Sequence, residues 1–130
     1  MRRRAILAAC PTAFLAACAS TTPGPAPIRL VFFEDDSIRL GPNATAVVAE
    51  AAAEAARAPN AAIRVAGYVA PEPGVAPVVA LSRARAEAVA AELVRLGVAQ
   101  SRIQVQGRGG TTFDAEAPVE ARRVEIRIGS

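Results

Sequence analysis

From residue 28 onward the chain alternates between two hydrophobic periods, and the alternation sets out its elements. Residues 28–33 are apolar apart from Arg29, are of strand length, and are closed by Glu34, Asp35 and Asp36. Between residues 42 and 57 the pattern becomes alanine-rich and helical. Pro42 suits a first-turn position, and Val47, Val48, Ala51, Ala52 and Ala55 share one face. Pro59 and Asn60 end that helix, and residues 63–69 read as a second strand, central in its sheet because it is mostly apolar. Three prolines and one glycine make residues 70–77 a loop. A second helix is expected over residues 78–96, with Leu81, Ala88, Val89, Leu93 and Leu96 buried and Gly97 as its stop. Residues 102–107 form a third strand, and residues 107–112, with three glycines, a mobile turn. In residues 122–128, Val124, Ile126 and Ile128 alternate with Arg123, Glu125 and Arg127, so one face points inward and the other outward. The order βαβαββ predicts a small α+β sandwich, two helices packed on one face of a four-stranded sheet.

The first 27 residues follow different rules. Arg2, Arg3 and Arg4 precede an apolar stretch over residues 5–17, which is layered like an export signal and too short for a membrane span of roughly 20 residues. Leu15-Ala16-Ala17-Cys18 resembles a bacterial lipobox, in which small residues fit the signal peptidase and the cysteine thiol takes a diacylglycerol. The same four residues end at Cys10, but there the apolar core shrinks to residues 5–9, below the roughly 7 a signal needs. Cleavage before Cys18 discards Cys10, so a disulfide between the two is not expected. Ala19 follows the lipidated position. By the sorting rule of the lipoproteins it resembles, absence of aspartate there implies transfer to the outer membrane, with the folded part in the periplasm. Residues 19–27 are small, polar and proline-rich, an extended tether.

This processing changes the reading of charge. The full chain of 130 residues carries a formal net charge of +3. Removal of residues 1–17 takes three arginines with it and leaves as many arginines as carboxylates. No basic excess remains to suggest nucleic acid. The chain has neither lysine nor histidine, and catalysis would rest on carboxylates or on Ser82, which has no sequence-apparent base and suits N-terminal helix capping instead. No catalytic residue, cofactor or metal is assigned. Glu34, Asp35 and Asp36 lack the spacing of a calcium loop, and Gly107, Gly109 and Gly110 lead into no helix that would make a phosphate site.

Several spaced motifs carry a resemblance to a known family. They are Leu81-Ser82-x-x-Arg85-Ala86-x-x-Val89, then Leu93-x-x-x-Gly97-Val98-x-x-x-Arg102-Ile103, Gly107-x-Gly109, and Arg122-Arg123-Val124-Glu125. Upstream, Phe33 and Ser37-x-x-Leu40-x-Pro42 belong to the same pattern. Together, over residues 28–130, they resemble the OmpA-like C-terminal domain, the peptidoglycan-associated module of OmpA, Pal and flagellar stator proteins. The resemblance implies a mixed four-stranded sheet in the βαβαββ sandwich and a non-enzymatic role, recognition of the diaminopimelate side chain of peptidoglycan. The far end of that side chain is a zwitterion, which calls for a cation fork and an anion.

By the resemblance Arg85 is the fork, placed in the first turns of the second helix where exposed N–H groups also favour an anion. The family's partner aspartate, at the end of the second strand, falls on Ala70. Glu72, two residues on, is the candidate to stand in for it. Arg122 is a further candidate at the pocket, although one arginine of the Arg122-Arg123 pair must serve the sheet face opposite Val124. Other departures lie nearby: Pro73 stands where the family has the loop glycine, Val78 where it has an asparagine before the helix, and Ala121 where it has an asparagine before the double arginine. Losing one charge-assisted hydrogen bond removes roughly 1.5–3 kcal/mol, about 10- to 100-fold in affinity. Two functions remain open. One is a lipoprotein holding the outer membrane to the peptidoglycan wall. The other is an envelope lipoprotein that has shed wall binding and engages another envelope protein, which the apolar loop before the second helix would suit.

Overall fold

A computed structural model describes residues 26–34, 37–69, 78–110 and 121–129, with backbone only for Val78 and Gly110. The chain runs β1 (Ile28–Phe32), α1 (Pro42–Arg57), β2 (Ile63–Val69), α2 (Val78–Arg95), a 3₁₀ turn at Gln100–Arg102, β3 (Ile103–Gly110) and β4 (Arg123–Ile128). The strands form one mixed sheet in the order β1-β4-β2-β3. β2 pairs with β3 in parallel and with β4 antiparallel, and β1 closes the other edge antiparallel to β4. The expected sandwich and the central position of the second strand are therefore both present.

Period-two alternation assigns the two faces of the sheet. Val31, Ile63, Val65, Val124 and Ile126 are buried against the helices, where they meet Val48, Ala51, Ala55, Val89 and Leu93. The small alanines of α1 let its axis lie close to the sheet, and the larger core side chains come from the strands and α2. Arg29, on the helix-facing side of β1, reaches Glu50 and Glu54 of α1 at 2.8 Å each. Such half-exposed pairs contribute at most about 1 kcal/mol, so they orient the helix more than they hold it.

Both helices are terminated by local chemistry. Gly41 is the N-cap of α1, with extended backbone and no side-chain cap, and Pro42 occupies the first turn as the sequence suggests. At the other end Arg102 reaches across the fold. Its Nε donates to the Ala61 carbonyl at 3.0 Å, and its Nη2 donates to the carbonyls of Ala55 at 3.1 Å and Ala58 at 2.6 Å. Ala55 O and Ala58 O each also accept one backbone N–H, from Ala58 and Ala61, and the guanidinium adds charged donors of favourable sign at the C-terminal end of the helix. α2 ends in a Schellman arrangement: Val98 N–H donates to Leu93 O and Gly97 N–H to Val94 O, both at 3.0 Å. The φ of +97° that this requires at Gly97 is one that glycine takes without strain.

Three expectations are corrected. The third strand does not stop at residue 107: β3 continues to Gly110, so Gly107 and Gly109 are strand residues rather than the start of a turn. Leu96 is not on the buried face but 37% exposed, because it already belongs to the cap, while Leu81 and Ala88 are only half-buried. Ser82 caps nothing, since it lies one turn inside α2 and is fully buried.

Candidate functional site

Two glycines bring α2 against the sheet, and that contact positions the candidate site. A Cβ on Gly67 of β2 would lie 1.8 Å from the Ser82 carbonyl oxygen, and one on Gly107 of β3 would lie 2.8 Å from Arg83 Cβ and 2.9 Å from Val79 O. No side chain fits at either place. The backbone of the helix therefore rests directly on the two parallel strands. Ser82 fastens this contact: its hydroxyl donates to Val79 O at 2.8 Å and accepts from Gly109 N–H at 3.0 Å. The Leu-Ser motif and the Gly-x-Gly motif are thus two halves of one joint.

Arg85, one turn further along α2, is 1% exposed. Its guanidinium crosses the core to the segment between β1 and α1, donating from Nε to Ser37 O at 2.9 Å and from Nη2 to Glu34 O at 3.2 Å. Its Cζ lies 5.4 Å from the centroid of the Phe33 ring, within cation–π range. Hydrogen bonds from a charged donor are worth roughly twice neutral ones, so Arg85 holds the β1–α1 segment in place with the helix as its support.

Beyond that segment, at the free edge of β1, lies a groove of about 560 Å³ lined by Leu30, Phe32, Glu34, Ser37, Arg39 and Leu40, among others. Arg85 thus fixes one rim of the groove from the interior. Glu34 and Arg39 place both signs of charge along it, a feature with no signal in the sequence, where both lie in an irregular segment without periodicity. Arg122 immediately precedes β4, and its carbonyl accepts the Phe33 N–H at 3.0 Å. The structure thereby brings the Arg85 guanidinium and the Arg122 backbone to the same residue, Phe33. Ala70 and Glu72, like Cys18, lie outside the described residues. Among the described residues there is no cluster of three or more carboxylates, cysteines or histidines able to hold a metal.

A mixed four-stranded sheet backed by two helices, with a buried arginine bracing the segment after the first strand, is the OmpA-like α/β fold. The chain belongs to the OmpA family, which it matches over residues 32–127. Among solved structures it is similar to the peptidoglycan-associated lipoprotein of Burkholderia pseudomallei, at 25% identity over 78% of this chain and 88% of that one, with a TM-score of 0.65. The C-terminal domain of Helicobacter pylori MotB shares the fold at 20% identity, covering 78% of this chain and 84% of its own, with a TM-score of 0.69. So does the OmpA-like domain of FopA1 from Francisella tularensis, at 19% identity over 78% and 71% of the two chains, with a TM-score of 0.67. A comparison with curated protein sequences finds no match. Domains of this kind are structural and not enzymes.

Proposed function

We propose that this protein is an outer-membrane lipoprotein, anchored through Cys18, whose domain binds peptidoglycan non-covalently and so links the outer membrane to the wall. The observation that carries the reading is Arg85, which keeps both its place in the family motif and its hold on the groove rim. In this reading Arg85 supplies positive charge for the carboxylate of the diaminopimelate end and braces the segment that receives it. Glu72 takes the ammonium in place of the aspartate absent at Ala70, and Arg122, whose carbonyl accepts the Phe33 N–H, supports the site. The likeness to a peptidoglycan-associated lipoprotein supports the same reading.

The test is co-sedimentation of residues 19–130 with purified diaminopimelate-type sacculi, beside Arg85→Ala, Glu72→Ala and Ala70→Asp. Sedimentation of the parent, lost in Arg85→Ala and weakened in Glu72→Ala, is the expected result. Arg85→Ala also removes core contacts, so it is compared with the parent at a temperature where both give the same far-ultraviolet circular dichroism. If only Ala70→Asp sediments, the domain has given up the wall, and an envelope protein is its partner instead.

A further inference from the structure

The helices cover one face of the sheet, and the opposite face is open among the described residues. Register places Ile28, Leu30 and Phe32 of β1 opposite Arg127, Glu125 and Arg123 of β4 on that face. The three apolar side chains are 45%, 40% and 44% exposed. Beside them the face carries Arg64, Arg108, Arg123 and Arg127 against a single carboxylate, Glu125. Glu125 is already used twice, accepting from Arg123 at 3.0 Å and from Arg127 at 3.1 Å. Arg123 also lies over the Tyr68 ring at 4.5 Å.

Arg64 and Arg108 make no ion pair among the described residues, and both border a hollow of about 100 Å³ beside Tyr68. Arg64 stands directly opposite Arg127 in the β2–β4 ladder. Like charges facing each other across a ladder destabilise a sheet, so the fold gains nothing from this pairing. Local costs of that kind gather where a surface meets a ligand.

We infer that this open face docks on an anionic phospholipid bilayer, with the β1 apolar row entering the interface and Arg64, Arg108 and Arg127 meeting headgroup phosphates. Two features select a bilayer over other anions. Exposed apolar side chains flanked by arginines form the amphipathic pattern that binds lipid surfaces. The chain before Ile28, where the β1 apolar row begins, is also the segment read as a membrane tether. Nine residues extend at most about 30 Å, longer than β1 itself, so the domain can lie with this face on the membrane. Such a tether keeps the local lipid concentration high enough for a weak contact to be occupied. The inference rests on the lipoprotein reading for the direction of approach only.

The experiment uses unlipidated residues 19–130, which retain the buried core of the described residues, Val31 to Ile128. Sucrose-loaded vesicles of phosphatidylcholine alone, or of phosphatidylcholine with phosphatidylglycerol, are sedimented with the protein at low and high salt. The parent should pellet with phosphatidylglycerol vesicles only, and less at high salt. Each arginine at an anionic surface is worth roughly 5-fold in partitioning, so Arg64→Glu with Arg108→Glu should lose more than about 30-fold. Arg57→Glu with Arg95→Glu changes net charge equally away from the face and should bind like the parent. No pelleting, equal pelleting with neutral vesicles, or equal loss in both double variants overturns the inference. Sacculus binding is scored separately on the same proteins, so either reading can fail alone.

Discussion

Replacing Gly67 by alanine should unfold this domain at a much lower temperature than its size would suggest for one added methyl. The new Cβ would stand 1.8 Å from the Ser82 carbonyl oxygen and 2.8 Å from its carbon, both backbone atoms of α2, with Ala86 Cβ at 3.3 Å. No rotamer relieves a backbone contact. The helix must therefore retreat from β2 by something over 1 Å, and the retreat stretches the Ser82–Gly109 hydrogen bond and the reach of Arg85 to the β1–α1 segment. Overpacking costs roughly 1–3 kcal/mol where side chains can yield, and this site belongs at or above the upper end. For a domain of about 100 residues each kcal/mol moves Tm by about 4–8 °C, so a fall of about 12 °C or more is expected in thermal melts followed by circular dichroism. A variant that melts within about 3 °C of the parent would refute the claim that the Gly67 contact sets the helix-to-sheet distance. Sacculus binding should fall with stability, because the displaced turn carries Arg85.

Other perturbations test the remaining joints. Ser82→Ala leaves the buried Gly109 N–H without its acceptor and should cost about 1–3 kcal/mol in urea unfolding, with hydrogen exchange at Gly109 accelerated. Arg102→Gln strips donors from the C-terminal carbonyls of α1 and should cost about 1.5–3 kcal/mol, the loss expected for hydrogen bonds from a charged group. Gly41→Ser adds the missing cap to α1 in open space, so Tm should rise by an amount equivalent to a few tenths of a kcal/mol. The hydrogen bond from Arg95 Nε to Glu92, at 2.8 Å, holds the Glu92 carboxyl below its ordinary value. Its contribution to stability is therefore present at neutral pH and is lost as the pH falls through that lowered value. Glu92→Gln should lower the urea midpoint slightly at neutral pH and leave it unchanged once the carboxylate is protonated in both states.

The alternation of Val124, Ile126 and Ile128 with three charged residues was enough to assign both faces of β4, because a two-residue period has only two outcomes. Strand β3 was cut short for the opposite reason. Glycines carry no hydrophobic signal, so Gly107 and Gly109 read as a turn although they are the places where helix and sheet touch. Likewise Arg102 gave no sign of capping a helix some 45 residues earlier in sequence, since its acceptors are backbone carbonyls identical in every residue. The pattern of the resembling family marked these positions without supplying their physical role.

Arg85 shows where a sequence reading stops and what would have carried it further. The buried stripe of α2 includes Val89 and Leu93, and continuing it toward the N-terminus in steps of three or four residues reaches Ala86 and Arg85 and then Ser82. A serine and an arginine on a buried stripe demand partners, because burying such groups unsatisfied costs several kcal/mol. The partners had to be backbone groups of loops or strand ends, since the core offers only hydrocarbon, and they prove to be Gly109 N–H and the carbonyls of Glu34 and Ser37. The polar end of an otherwise apolar stripe is thus the place where loops must gather. A binding edge built there gains its rigidity from the same bonds that satisfy the buried charge, which is why losing the Arg85 side chain should loosen the groove and the fold together.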